Sequence, residues 1–140
     1  MAPKLNKSEE SEIRRRIGAG FGTAENNREV ERAAVAAATK HYKRNGWLVT
    51  SVEADNCGFD LLCRKERQER HVEVKGIKGR GYDFILTYGE YQKAGSDNKY
   101  ELCLVRYAVS NPTITSVTGG KIFQQFEFGP LAFKAGRTSG

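Results

Sequence analysis

The segment Val72-Glu73-Val74-Lys75 alternates apolar and charged residues. Successive side chains of a β-strand point to opposite faces, so Val72 and Val74 share one face while Glu73 and Lys75 stand side by side on the other. Taken alone, this is the ordinary pattern of a strand with one solvated face. Asp60 changes the reading. It lies in Gly58-Phe59-Asp60-Leu61-Leu62-Cys63, a stretch that otherwise wants burial, and an unpaired buried charge is very costly. A hairpin over 59–75 can bring Asp60 near Glu73 or Lys75, so that two carboxylates and a lysine meet. Carboxylate pairs suit Mg²⁺, a hard cation that takes oxygen ligands and keeps several of its waters.

Glu31 offers a third carboxylate. At 100° per residue, Val30, Ala34, Ala37, Ala38, His41 and Tyr42 form one arc of a helix. Glu31 falls inside that arc, while Arg28, Arg32, Lys40, Lys43 and Arg44 fall outside it. A glutamate on a sheet-facing arc either meets something polar or lies at the edge and snorkels out. Other residues are explained more simply. Thr87 and Glu90 have capping-box spacing. His41 and His71 stand at no metal-ligand spacing to any cysteine, and Cys57 sits in a turn near Asp60 without an activating histidine. Tyr82, Phe84 and Tyr88 could stack on bases, although packing accounts for them.

These residues need elements to hold them. The chain predicts a helix over 26–44, opened by Asn26 with Glu29 and closed by Asn45-Gly46. Strands follow at 47–52, 59–63 and 71–75, with the charged segment 65–70 as a connection. A glycine-rich basic loop spans 76–82 and a short strand 84–86. A helix from about Gly89 to Ala94 and a strong buried strand at 100–105 come next. Segments 113–117 and 122–123 read as further short strands. Residues 1–24 read as an arm or linker with a short helix over 8–17, residues 25–133 as one domain, and 134–140 as a loose tail. The order of helix, three antiparallel strands, helix and strand predicts an α/β layered fold.

Composition agrees. The 140 residues are 39% hydrophobic and 29% charged, enough for one ordinary core and too apolar for wholesale disorder. No run of 18 apolar residues predicts a membrane span and no apolar leader predicts secretion. Three cysteines without a C-x-x-C pair argue against a disulfide framework or a zinc knuckle, and point to a reducing, cytoplasmic compartment. The net charge of +6 favours a polyanionic partner, nucleic acid before a membrane surface. Lys78 and Arg80, in the loop after Lys75, could hold phosphates.

Asp60-x12-Glu73-x-Lys75, following a helix that carries Glu31, resembles the PD-(D/E)xK nuclease superfamily. More narrowly, Gly46-Trp47-Leu48-Val49, Gly58-Phe59-Asp60-Leu61, Val72-Glu73-Val74-Lys75-Gly76, and Leu86-Thr87 with Glu90 resemble the DUF3883 domain. That domain is often attached to helicase or ATPase proteins linked to DNA processing and defence. The resemblance covers about residues 29–108. It departs from the superfamily name at Phe59, which stands where a proline precedes the aspartate. It implies a restriction-endonuclease-like core, a central mixed sheet flanked by helices. It also implies a metal-dependent DNA endonuclease belonging to a restriction, defence or repair system. Asp60, Glu73 and the Val74 carbonyl would hold Mg²⁺, with Mn²⁺ as a substitute. Lys75 would position or help deprotonate the attacking water, and Glu31 would bind a second metal or a metal-bound water. Lys78, Arg80 and Lys93 would contact DNA, and a homodimer or a helicase/ATPase partner would complete the machine. The alternative is a non-catalytic DNA-binding or protein-docking module that retains the fold.

Overall fold

The computed structural model describes Lys7, residues 24–130 and residues 135–138. The expected helix over 8–17 lies outside these residues, and the described part of the tail, 135–138, has no regular secondary structure. Helix α1 (Ala24–Arg44) leads into strands β1 (Leu48–Ser51), β2 (Leu61–Lys65) and β3 (Gln68–Gly76). Helix α2 (Tyr88–Ser96), strands β4 (Tyr100–Arg106) and β5 (Thr113–Thr118), and helix α3 (Gly119–Gln125) follow. The five strands form one sheet in the order β1-β2-β3-β4-β5. All neighbours are antiparallel except β3 and β4, which run parallel. Parallel neighbours need a long crossover, and the segment containing α2 supplies it. The fold is the expected α/β one: a mixed sheet flanked by helices and compatible with a restriction-endonuclease-like core.

The two sheet faces carry separate cores. On one, α1 lays Ala34, Ala38 and Tyr42 against Leu61, Cys63, Val72, Val74, Cys103 and Val105. On the other, α2 and α3 bring Ala94 and Ile122 onto Tyr100, Leu102, Leu104 and Val117. Alanines let α1 approach closely, and Gly76 allows the closest contact. A Cβ there would lie 2.8 Å from the Ala34 Cβ and 2.9 Å from the Val30 carbonyl oxygen. Backbone cannot yield as a flexible side chain does, so Gly76→Ala is expected to lower stability by about 1–3 kcal/mol, the usual cost of overpacking. Urea unfolding measures it; an unchanged midpoint would refute this packing.

Several local expectations are corrected. Helix α1 begins at Ala24, so Asn26 lies within it and is not its N-cap. The 65–70 segment is mostly ladder: β2 runs to Lys65 and β3 starts at Gln68, leaving Glu66 and Arg67 as the turn, with Glu66 at φ 56°. Its charges serve as cross-strand pairs, Arg64 facing Glu69 with Nε 3.0 Å from Oε1. Phe84-Ile85-Leu86 forms no strand; Phe84 instead packs edge-on to Phe126, ring centroids 4.9 Å apart. Ile122 and Phe123 belong to α3, where Ile122 is fully buried. Short apolar runs do not distinguish helix from strand without their partners. Among the described residues no helix is long and apolar enough to cross a membrane.

Candidate active site

The site begins where β2 stops. Its pairing with β3 starts at Leu61 opposite Val72, but β3 continues beside β4 to Gly76 opposite Val105. Beyond Val72, β3 therefore has an edge that no strand among the described residues covers. Asp60 occupies it. Its backbone N–H donates to the Val72 carbonyl at 2.8 Å, and its carboxylate Oδ2 accepts from the Val74 N–H at 2.8 Å. An acidic side chain thus takes the place of a strand, and the Val74 carbonyl leaves β3 along the same edge. The turn that presents Asp60 rests on Gly58, at φ 86°, a conformation glycine adopts without strain. It is held further by Phe59, stacked on the His71 ring with centroids 4.4 Å apart and planes 7° apart.

Glu73 and Lys75 do share one sheet face, but that face is covered by α2 rather than open to solvent. Glu73 is 2% exposed, and among the described residues its Oε2 has no hydrogen-bond partner. Burial first, then the nearby charges of Glu90 and Asp60, push its carboxyl well above the usual carboxylate range against the opposing pull of Lys75. Lys75 Nζ donates to Glu90 Oε1 at 2.9 Å.

Sequence reading undervalued Glu90. The capping box exists: Thr87 Oγ1 accepts from the Glu90 N–H at 3.2 Å, and Glu90 Oε1 accepts from the Thr87 N–H at 3.0 Å. The same oxygen also holds Lys75, so one carboxylate starts α2 and fixes the lysine of the site. The cap explained Glu90 so fully that its spacing alone carried no sign of the second role. Glu90→Ala should cost about 1–3 kcal/mol by urea unfolding. It loses the reciprocal cap bond, worth about 1 kcal/mol, and part of a buried pair whose full loss costs about 3–5 kcal/mol, since Glu73 can still receive Lys75. A cost below about 0.5 kcal/mol, the range of an ordinary surface substitution, would deny the double role.

A cavity of about 640 Å³ opens beside this cluster, lined by Glu31, Glu53, Asp60, Glu73 and Glu90 together with Lys7 and Lys93. Glu31 lies exposed on the cavity wall, facing the polar cluster from the edge of its arc. Glu53 was missed altogether. It lies on a single 3-10 turn, Glu53–Asp55, after β1, and only the folded chain brings that turn to Asp60. Burial, then the charges of Asp60 and Glu31, raise its carboxyl above the usual range, partly offset by Lys7. Lys7 Nζ donates to the Glu53 carbonyl at 2.7 Å. Lys93 lies on the cavity wall, with Nζ 3.5 Å from Asp97 Oδ2 and 5.7 Å from the Phe59 ring centroid. Lys78 and Arg80 are exposed and do not line the cavity. Their loop is pinned to the C-terminal end of β4, the Gly79 carbonyl accepting from Tyr107 N–H and the Arg80 carbonyl from Arg106 Nη1, each at 3.2 Å. Cys57 lines the cavity as well, and its thiol faces the Val52 and Phe59 carbonyls of its own loop.

A charge network braces the His71–Phe59 stack. One His71 ring nitrogen meets Asp97 and the other lies 2.8 Å from Glu69 Oε2. Hydrogen bonds from His71, then Arg64, hold the Glu69 carboxyl down at about 2, below its ordinary 4.5. A depressed carboxyl gives stability that is present above its unfolded value and lost as pH falls through its folded value. Stability should therefore fall between about pH 4.5 and about pH 2, and Glu69→Gln should flatten that part of the profile. Acid titration followed by circular dichroism checks this; superimposable profiles would refute it.

Among the described residues, no group of three His, Cys, Asp or Glu side chains is arranged to hold a metal ion unaided. Mg²⁺ seldom uses such a cage; one or two carboxylates, waters and substrate phosphates are its usual shell. The residues present fit that mode. Glu73 has a buried carboxylate oxygen without a partner, Asp60 stands beside it, and the Val74 carbonyl faces the same edge. All are hard oxygen donors.

The family model described as Protein NO VEIN, C-terminal, matches residues 30–117. This is more than half of the chain, and it takes in Glu31, Glu53, Asp60, Glu73, Lys75 and Glu90. No curated protein and no solved structure matches the chain.

Proposed function

The chain belongs to the Protein NO VEIN C-terminal family, and from that premise we propose that it is a metal-dependent phosphodiesterase acting on DNA. The reading draws on the resemblance to PD-(D/E)xK nucleases and to the DUF3883 domain. The observation that carries it is the open edge of β3, where Asp60 binds the Val74 N–H beside the unpartnered Glu73 carboxylate oxygen. A merely structural carboxylate cluster has no need of an orphaned oxygen at 2% exposure.

Asp60, Glu73 and the Val74 carbonyl would hold Mg²⁺ or Mn²⁺. Bound there, the cation supplies a more acidic water and neutralises charge developing at phosphorus. Lys75, on the same face as Glu73 and steadied by Glu90, orients the attacking water and screens the phosphoryl oxygens. Glu31, exposed at the cavity wall, would bind a second cation or one of its waters. Lys93 offers a positive charge to a neighbouring phosphate. A homodimer or a helicase/ATPase partner would bring such a small domain to its DNA, within a restriction, defence or repair system.

The second reading, a non-catalytic module that keeps the fold, is favoured by the Lys75–Glu90 pair, which closes part of the charge cluster on itself. Incubating single-stranded, supercoiled, linear and branched DNA with Mg²⁺ or Mn²⁺, beside an Asp60→Ala control, separates the two. Cleavage by the parent alone supports the enzyme; no cleavage with either metal supports the module.

A further inference from the structure

Helix α2 serves the site with one side and presents aromatic rings with the next. Tyr88, Gln92 and Lys93 line the cavity, and Gln92 Nε2 donates to the Tyr88 hydroxyl at 3.1 Å. Tyr91, three residues after Tyr88 and therefore its neighbour on the helix surface, turns toward α3. There its ring meets Phe123 and Phe128, each with centroids 5.3 Å away, and Phe123 and Phe128 lie 5.6 Å apart. Tyr88 is 49% exposed, Tyr91 and Phe123 are each 40% exposed, and Phe128 is 37% exposed. Single exposed hydrophobics are normal, but a contiguous patch marks an interaction surface. Its four described side chains are all aromatic, and Tyr88 among them also lines the cavity.

We propose, resting on the nuclease reading, that the substrate is single-stranded nucleic acid whose bases stack on Tyr88, Tyr91, Phe123 and Phe128 while its backbone enters the cavity. Two features favour this occupant. Aromatic side chains bind unpaired bases of any sequence through their flat faces, whereas a duplex keeps those faces stacked and out of reach. Among the described residues the cavity wall also carries five carboxylates, Glu31, Glu53, Asp60, Glu73 and Glu90, against two lysines, Lys7 and Lys93. A duplex, with one charge per roughly 1.7 Å of its axis, is the polyanion such a wall repels most. Binding then has to come from stacking more than from phosphate contacts.

The test is fluorescence anisotropy with labelled oligo(dT) of about twelve nucleotides, within the site size of one small domain, against the same strand annealed to oligo(dA). Each is measured on the full chain carrying Asp60→Asn, to prevent cleavage. The single strand should bind at least about tenfold more tightly than the duplex. Tyr91→Leu and Phe123→Leu should each weaken it by roughly 5- to 150-fold, the range for losing one stacked base. Tyr91→Phe, which keeps the ring, should bind as the Asp60→Asn background does, and thermal melts show that each variant is folded. Equal affinity for duplex and single strand, or leucine variants that bind normally, overturns the proposal. So does a leucine variant that changes only the sedimenting mass, which would assign the patch to contacts between copies. Cleavage assays with Mg²⁺ and Mn²⁺ on the unmutated chain keep the two readings apart. Cleavage without ring-dependent binding sinks the aromatic surface alone, and ring-dependent binding without any cleavage sinks the nuclease alone.

Discussion

Asp60→Asn, Glu73→Gln and Lys75→Gln are each expected to reduce metal-dependent DNA cleavage by on the order of 10³-fold or more. Asp60→Asn is the most informative. Asparagine keeps an oxygen to accept the Val74 N–H bond now made at 2.8 Å, so the open edge of β3 stays filled while the negative charge is lost. A large loss of activity in a folded Asp60→Asn protein would then report chemistry rather than architecture. The three groups place one reacting unit, so their losses should not add, and the triple variant should be scarcely slower than any single one. Cleavage of single-stranded and of supercoiled DNA with Mg²⁺, beside a thermal melt of each protein, is the measurement. An Asp60→Asn protein that cuts at the parent's rate would end the assignment.

Legibility in the sequence followed how local each signal was. The alternation at 72–75 placed Glu73 and Lys75 on one sheet face because the period of a strand is fixed by its backbone. The capping box at Thr87 and Glu90 was equally local, and both bonds are present. The strands at 100–105 and 113–117 appear within a residue of their expected bounds. What could not be read depended on partners distant in the chain. Nothing near Glu53 tells that its turn comes to rest beside Asp60 and Glu31. Nothing near Glu90 tells that its capping oxygen also holds Lys75. The 84–86 segment has strand-like residues but no ladder to join, so tertiary packing of Phe84 decided its form. Glu31 shares the arc of the buried alanines and lies exposed at its edge, since an arc gives a direction around a helix and not the extent of the sheet beneath it.

The metal-free protein should gain stability when Glu73 is replaced by its neutral isostere. Glu73 is buried at 2% exposure with one oxygen unpartnered, and burial, Glu90 and Asp60 all disfavour its ionised form, with Lys75 alone among the named neighbours opposing them. Glu73→Gln removes the cost of burying an ionisable carboxyl among other carboxyls, keeps the shape, and gives Glu90 a donor. The expected gain is roughly 0.5–2 kcal/mol near neutral pH, the usual size of relief at a functional site. Adding Mg²⁺ or Mn²⁺ should raise the parent's melting temperature with concentration, because an ion bound only by the folded state stabilises it by mass action. At about one hundred times the dissociation constant the gain is about 2.7 kcal/mol, and Glu73→Gln should forfeit most of it. A closed structural cluster predicts the opposite pattern. There Lys75 would be compensated by Glu73 and Glu90 jointly, Glu73→Gln would destabilise the protein, and divalent ions would move neither melt. Four thermal melts, parent and variant with chelator and then with metal, distinguish these cases. A destabilised Glu73→Gln together with a parent indifferent to metal would leave only the non-catalytic module, because the orphaned oxygen on the open edge of β3 would then have no cation to receive.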